Sequence, residues 1–533
     1  MSNYIFVTGG VISGLGKGIV TSSLSRVLIA KGYKPTIIKI DPYVNIDAGT
    51  LRPTEHGEVW VTEDGGETDQ DLGHYERFLG FPLTKKHNIT TGQVYYKVIN
   101  KERRGDYLGK TVQLIPHITD EIKRRIKEVS SKSGADINLI EIGGVVGDYE
   151  NILFLEAARQ LQSEEKVVFV HVSYVPIPEK LGEPKTKPTQ QSVRLLRELG
   201  IFPDFIVCRS PKELDNVRKE KISLFCNISE ENIINNPDLE TIYELPLVFE
   251  KQEFAKKILN KLNLTEKQME LSEWKNKVDI LKNAEKEVNI GIVGKYISTG
   301  NFELTDSYIS VEEAVKHASV ALNIKPNIFW VDSTKIEQKI SSLDGIIVPG
   351  GFGSSGVEGK IKAINFCRKN NIPFLGLCLG LQLAVVEFAR NVCGLEGAHS
   401  TEIDKNTKYP VIDILPEQKK IKELGATMRL GAYPAELKQG TKVYNLYNEF
   451  NSIKENKVSE RHRHRYELNP DYYKILQENG MVFSGVSPTK SLVEFIELPD
   501  NKFFVATQAH PELKSNLLNP SPLFYGFIKS CIK

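Results

Sequence analysis

Short apolar runs rich in β-branched residues recur along this chain, each closing near glycine, serine or proline. The first half carries YIFVTGG, YKPTIIKID, INLIEIGG, KVVFVHVSY and FPDFIVCRS, with amphipathic stretches such as ITDEIKRRIKEVSSK between them. Apolar runs of this length are buried strands, and strands alternating with helices predict a parallel sheet covered on both faces. After the charged, helix-prone stretch from Leu264 to Glu287 the alternation restarts with VNIGIVGKY, PNIFWVD, LDGIIVPGG and IPFLGLC, and later LVEFIEL and FFVATQAHPE. At 533 residues the chain exceeds one hydrophobic core. The reading is an α/β domain over 1–264, a helical linker over 265–287 and a second α/β domain over 288–533. Residues from about 403 to 440 read as strands and long turns.

Charge and composition narrow the function. A net charge of +1 gives no general pull toward nucleic acid or membrane, so neither is expected as a partner. The most apolar stretch, FLGLCLGLQLAVVEFA, is interrupted by Gln382 and Glu387, so no span is expected. The start, MSNYIFVTGG, has no basic segment before its apolar run and is not read as a secretion signal. The 6 cysteines form no CxxC pair and suggest no disulfide framework, which favours a reducing cytoplasm.

GGVISGLGKG, Gly9 to Gly18, follows the first strand and precedes a helix read from about Ile19. Between strand and helix, such glycines expose backbone N–H groups to an anion, and the helix dipole adds to the attraction. Gly16-Lys17 ends the loop as a P-loop would, with Lys17 reaching terminal phosphates. The opening glycine of that pattern is Val11 here, and the Ser/Thr after the lysine is Gly18. Gly18 offers no hydroxyl to Mg²⁺, so the metal must take carboxylates, and Asp71 in DGGETDQDLGHYERF and Glu141 at the end of INLIEI are the candidates. The stretch KTKPTQQS, Lys185 to Ser192, suits a triphosphate or a base edge, although alone it reads first as a solvated loop, and Lys221 and Arg209 stand in the same position.

IPFLGLCLGLQLAVVEF runs a strand directly into Gly376-Leu377-Cys378-Leu379-Gly380 and then a helix. This is the nucleophile-elbow pattern with sulfur in place of oxygen, where the helix N-terminus favours the thiolate and the next N–H serves an oxyanion. A thiol nucleophile needs an imidazole base and a carboxylate to orient it, and TQAHPE supplies His510 and Glu512. Gly351 in PGGFGSSG is a second candidate oxyanion donor. Cys208, Cys226, Cys367, Cys393 and Cys531 are read as small buried hydrophobes. RHRHRYE, Arg461 to Glu467, reads as a basic patch; His462 and His464 could begin a metal site, but no further ligand pattern completes one, and the arginines suit a substrate carboxylate.

Taken together the motifs resemble the CTP synthases, glutamine-dependent enzymes that aminate UTP. The resemblance rests on GGVISGLGKG, KIDPYVNIDAGT, HGEVWVTEDGGETDQDLGHYERF, KERRGDYLGKTVQLIPHITDEIK, KTKPTQQSVRLLRELG and KISLFCNI, then PGGFGSSGVEGK, GLCLGLQLA, HSTEID, TMRLGAYP, RHRHRYE and QAHPE. It implies a P-loop, dethiobiotin-synthetase-like amidoligase domain followed by a class I glutamine amidotransferase domain. The resemblance places ATP on Ser13, Gly14, Leu15, Gly16, Lys17, Gly18 and Ile19, with Lys39, Asp71, Pro237, Asp238 and Leu239, and Mg²⁺ on Asp71 and Glu141. UTP, or the inhibitory product CTP, would lie on Ser13, Asp148, Tyr149, Glu150, Lys185, Thr186, Lys187, Pro188, Thr189, Gln190 and Lys221. ATP would phosphorylate uracil O4, and ammonia would displace the phosphate at C4.

In the second half the resemblance makes Cys378 the nucleophile on glutamine, His510 the proton carrier and Glu512 its orienting group. Gly351, Leu379, Gly380, Leu381, Gln382, Glu402 and Arg465 would hold L-glutamine, Arg465 through its carboxylate. Ammonia would travel inside the protein past a gate at His56, and GTP would activate near Arg429. A homotetramer built through the N-terminal domains is implied, with filaments as a further assembly. Departures from the family pattern are Val145 in GGVVGDYE, LRPTE before His56, and Tyr149; those flanking Asp148 bear on CTP inhibition. The alternative is another P-loop amidoligase fused to a glutaminase and acting on a carboxylate, against which KTKPTQ and DLGHYERF speak.

Overall fold

The computed structural model describes residues 2–52, 57–267, 270–294, 298–299, 302–303, 305–333, 340–351, 356–414 and 428–532. Its contacts divide the chain into two compact units, Met1–Asp47 with His74–Val278, and Ala48–Gly73 with Asp279–Lys533. The second unit thus takes in a segment of early sequence that the strand–helix alternation gave no reason to separate.

In the first unit, β1 (Asn3–Gly10) leads through the glycine-rich loop into α1 (Lys17–Ala30), two residues earlier than the sequence suggested. β2 (Pro35–Asp41) follows; next in the chain come the short strands β3 (Trp60–Val61) and β4 (Glu67–Thr68), which belong to the second unit, and then α2 (Asp71–Leu79), most of which lies in the first. The remaining strands are β5 (Asn88–Thr90), β6 (Ile137–Ile142), β7 (Lys166–Tyr174), β8 (Phe205–Ser210) and β9 (Ile233–Pro237), with α3 (Lys187–Glu198) between β7 and β8. Seven strands form one sheet in the order β5-β2-β6-β1-β7-β8-β9, every neighbouring pair parallel. β1, β2 and β6 are buried along nearly their whole length, as their unbroken apolar character demands. Phe6 of β1 stacks on Phe169 of β7 with ring centroids 5.7 Å apart.

The stretch read as a linker is packed structure. α4 (Ser272–Asn283) buries Trp274 against Phe78 and Tyr243, and the indole N–H donates to the Tyr243 carbonyl at 2.8 Å. One large aromatic side chain outweighs the charged residues around it, because fully burying such a ring is worth ~2 to 3 kcal/mol.

The second unit continues with β10 (Glu287–Gly294), β11 (Ser298–Thr299), β12 (Phe302–Glu303), α5 (Ile309–Ala321), β13 (Lys325–Asp332), β14 (Gly345–Val348) and α6 (Val357–Asn370). Then come β15 (Phe374–Leu377), α7 (Leu379–Asn391), β16 (His399–Ser400), β17 (Pro410–Ile414), β18 (Arg429–Leu437), β19 (Lys457–His464) and β20 (Tyr466–Leu468). β21 (Val482–Val486), β22 (Val493–Glu497) and β23 (Phe504–Thr507) complete the strands. Nine strands run in the order β13-β10-β14-β15-β23-β22-β21-β18-β19. The first five are parallel and the last four add an antiparallel wing. The sequence reading specified parallel pairing for the first domain and only an α/β fold for the second. The wing is antiparallel because β21, β22 and β23 are joined by loops too short for a crossover.

Candidate active sites

In the first unit the candidates gather at the C-terminal edge of the parallel sheet, where open α/β sheets bind ligands. The loop after β1 holds Val11, Gly14 and Gly16 at φ of 83°, 67° and 89°. Positive φ is costly for β-branched Val11, and strain of this kind concentrates at ligand clamps. Ser13 and Gly14 are exposed, Leu15, Lys17 and Gly18 are buried, and Ile19 is partly so. The Lys17 ammonium donates to the Gly144 carbonyl beyond β6 at 2.9 Å, which draws the loop and the end of β6 together. Gly10 lies so close to α3 that a Cβ would stand 1.5 Å from Ser192 Oγ.

Lys39 and Glu141 are register partners on β2 and β6, and Lys39 Nζ meets Glu141 Oε1 at 3.0 Å and Asp41 Oδ1 at 3.7 Å. The Tyr75 hydroxyl of α2 donates to Glu141 Oε2, and Asn88 donates to Asp41 Oδ2 at 2.6 Å. The sequence reading reached Lys39 and Glu141 but not Tyr75 or Asp41, although both stand inside the quoted DLGHYERF and KIDPY stretches. Asp71 opens α2 and is partly exposed. Buried or half-buried carboxylates are hard oxygen donors of the kind Mg²⁺ prefers, so the residues present fit that ion.

Lys185 to Gln190 span the start of α3. Thr186 and Thr189 are buried, Lys187 is exposed, Pro188 and Gln190 are partly exposed, and Lys185 pairs with Glu183. Behind them lies a buried chain of hydrogen bonds that sequence reasoning did not find. His171 Nδ1 meets Thr8 Oγ1 at 2.9 Å and its Nε2 meets Ser192 Oγ at 2.8 Å, while Ser173 donates to Thr189 at 2.9 Å. Burial, with Lys17 nearby, pushes the His171 pKa down to about 3, so the ring is neutral and β7 tethers both β1 and α3. Asp148, Tyr149 and Glu150 follow β6 and are exposed, and Asp148 accepts from the Val145 N–H at 2.8 Å. Pro237 ends β9 and Asp238 and Leu239 follow it, and Arg209 bonds both the Pro237 carbonyl at 2.7 Å and Asp238 at 2.7 Å. Lys221 is exposed on the helix Asn216–Cys226.

The second unit holds a complete thiol site. Cys378 follows β15 directly, at φ 51° and ψ −101°, and caps α7. Its N–H donates to the Thr507 carbonyl at 2.7 Å, which fixes the elbow to β23. The elbow needs Gly380, because a Cβ there would stand 2.1 Å from the Val348 carbonyl oxygen. His510 is held by its own N–H, which donates to the Arg461 carbonyl of β19 at 2.8 Å. His510 Nδ1 meets Glu512 Oε1 at 2.7 Å, and both side chains are largely buried. His510 Nε2 is buried with no hydrogen bond to a described residue. Burial pulls the imidazole pKa down, but Glu512 and Cys378 outweigh it and hold the ring well above its ordinary value. Cys378, His510 and Glu512 line one pocket with Gly350, Gly351, Glu58, Val59, Val61, Tyr308 and Arg463.

The remaining glutamine candidates are not among the residues that line this pocket. Gln382 is buried and donates to the Tyr466 carbonyl at 3.1 Å and to Gln508 Oε1 at 3.3 Å. Gln508, missed in the sequence although it stands in TQAHPE, donates to Cys378 Sγ at 3.6 Å. Leu379, Gly380 and Leu381 are buried in the first turn of α7, and Glu402 and Arg465 both act electrostatically on Tyr466. Arg429 is engaged inside the protein, with Glu494 at 2.6 Å and Glu467 at 3.1 Å, so a nucleotide would compete with two carboxylates for it. His462 Nδ1 and His464 Nε2 bond each other at 3.0 Å, and burial and Arg429 push both pKa values well down. No group of three metal-ligating side chains occurs among the described residues. His56 lies outside the described residues.

Two family models match the chain, the CTP synthase N-terminus over residues 3–264 and the class-I glutamine amidotransferase over residues 303–530. The chain is 54% identical over 543 residues to a CTP synthase of Methanocaldococcus jannaschii, covering 99% of this chain and 98% of that protein. It is 54% identical over 538 residues to a CTP synthase of Pyrococcus abyssi, covering 99% and 98%. Among solved structures, the glutaminase domain of a Trypanosoma brucei CTPS with bound acivicin matches at 37% identity and a TM-score of 0.41, covering 46% of this chain and 93% of that one. Such full-length likeness leaves the carboxylate-amidating alternative without support.

Proposed function

This chain belongs to the CTP synthase family and converts UTP to CTP with glutamine as the nitrogen source; on that premise we propose how its residues divide the work. The observation that carries the assignment is the elbow of Cys378 closed by the His510–Glu512 pair. His510 takes the thiol proton, Cys378 attacks the glutamine amide carbon, and the proton returns to the leaving ammonia. The N–H groups of Gly351 and Leu379 receive the oxyanion, Arg465 and Glu402 the amino-acid end of glutamine, and water then releases glutamate from the thioester.

In the amidoligase region we place ATP on the loop Ser13–Ile19, with Lys17 and Lys39 drawing charge from the phosphates and Pro237–Leu239 bordering the nucleotide. Glu141 and Asp71 would hold Mg²⁺, which would supply positive charge to the phosphates. UTP lies along Lys185–Gln190 with Ser13 and Lys221, and CTP inhibits by occupying the same triphosphate positions beside Asp148–Glu150. GTP activates glutamine hydrolysis, His56 gates the ammonia, and the chain works as a cytoplasmic tetramer. We take the functional domains as 1–264 and 288–533 around the segment 265–287, whereas the contacts group residues 48–73 with Asp279–Lys533.

The test is CTP formation from UTP, ATP and Mg²⁺, with either glutamine or ammonia. Cys378→Ala should lose glutamine-dependent synthesis by about 10³-fold or more and keep ammonia-dependent synthesis. Loss of both would break the assignment of Cys378 to glutamine alone. Lys17→Ala should do the opposite, hydrolysing glutamine and making no CTP from either source.

A further inference from the structure

The early segment grouped with the second unit forms one wall of the thiol pocket, through Glu58, Val59 and Val61. β3 and β4 make a hairpin in which Val61 stands directly opposite Glu67. The hairpin is fastened along its length. Glu58 accepts from the Ser310 N–H at the start of α5 at 3.2 Å, and the Glu63 carbonyl accepts from the Ala432 N–H at 2.9 Å. The Glu63 carboxylate meets Lys514 at 2.9 Å. Its turn presses so closely on β18 that a Cβ on Gly431 would stand 2.7 Å from the Glu63 carbonyl oxygen.

β19 provides the fastening nearest the nucleophile. Residues two apart on a strand share a face, so Arg461 and Arg463 both meet the hairpin, while His462 faces Tyr433 of β18. Arg461 bonds the Val61 carbonyl at 3.0 Å and lies over the Trp60 ring at 5.2 Å. Arg463 reaches both ways. Its carbonyl accepts from the Cys378 thiol at 3.9 Å, and its guanidinium meets Glu67 at 2.8 Å and the Gly49 carbonyl at 3.4 Å. The Glu67 side chain is 0% exposed and that of Arg463 13%. So little exposed, the pair is screened by water far less than a surface pair.

We propose that the Glu67–Arg463 ion pair is a positioning contact that keeps this wall closed, so that ammonia released at Cys378 is retained for amination. The Glu67 carboxylate pairs with Arg463 and not with a triad side chain. It fixes Val61, its cross-strand partner, against the pocket. The proposal rests on CTP formation by this chain, and ammonia-dependent synthesis checks that activity separately.

The experiment measures glutamate and CTP together in the full-length protein carrying Glu67→Gln. Glutamate release and ammonia-dependent CTP synthesis should stay within about twofold of wild type, while glutamate made per CTP rises from one to about three or more. Glu67→Asp, which keeps the charge but shortens the reach, should give a smaller rise and serves if Glu67→Gln does not fold. A ratio that stays at one in a folded variant would overturn the proposal. So would a parallel fall of glutamine- and ammonia-dependent synthesis. Wild-type protein that makes no CTP from ammonia would sink the assigned activity and this inference with it.

Discussion

His171 shows how a single buried side chain connects stability to the nucleotide sites. Its ring bonds Thr8 at the approach to the phosphate loop and Ser192 on α3. With a folded-state pKa near about 3 and an unfolded value near 6.5, the unfolded chain binds the extra proton between those limits. Stability contributed by the neutral ring is therefore full above pH 6.5 and is lost as pH falls toward 3, at about 1.4 kcal/mol per pH unit. His171→Gln should flatten the acid limb of unfolding free energy against pH by that slope, read from denaturant titrations between pH 6 and 4. Equal slopes in both proteins would remove His171 from this role. His171 was not legible in the sequence, because the run KVVFVHVSY presents it as one polar residue in an apolar strand. Only the register of β7 against β1 brings it to Thr8.

At the scale of elements, the strand–turn–helix units were the most legible part. Glycine spacing around Cys378 and Lys17 announces turns that side chains cannot occupy. A Cβ on Gly380 would meet the Val348 carbonyl oxygen, so the elbow exists only while that position is bare. Gly380→Ala should cost about 1 to 3 kcal/mol and misplace the thiol, seen as a lower thermal midpoint with reduced glutamine hydrolysis. Unchanged hydrolysis would mean the elbow tolerates displacement of α7. The antiparallel wing, the hairpin β3–β4 and the burial of Trp274 were not legible, since each depends on partners far away in sequence. Gln508 and Arg463 follow the same rule. Their neighbours in sequence mark a site, but their contacts with Cys378 arise only when β19 and β23 converge on β15.

At the scale of the whole molecule, exposed apolar residues concentrate between Tyr96 and Ile115, with Leu108 89% exposed. Burying them between subunits of the proposed tetramer would take that apolar area out of water. Leu108→Asp should lower the sedimenting mass measured with ATP and UTP present, while glutamine hydrolysis persists. A tetramer of unchanged stability would place the interface elsewhere. The hairpin carries a different consequence, for how such a gene can be divided. A break within 265–287 would give a C-terminal polypeptide lacking Glu58, Val59, Val61 and Glu67, with Arg461 and Arg463 facing water instead of their partners. A C-terminal piece made alone would therefore present its thiol pocket without that wall, and supplying the early loop of chain alongside it would restore the wall.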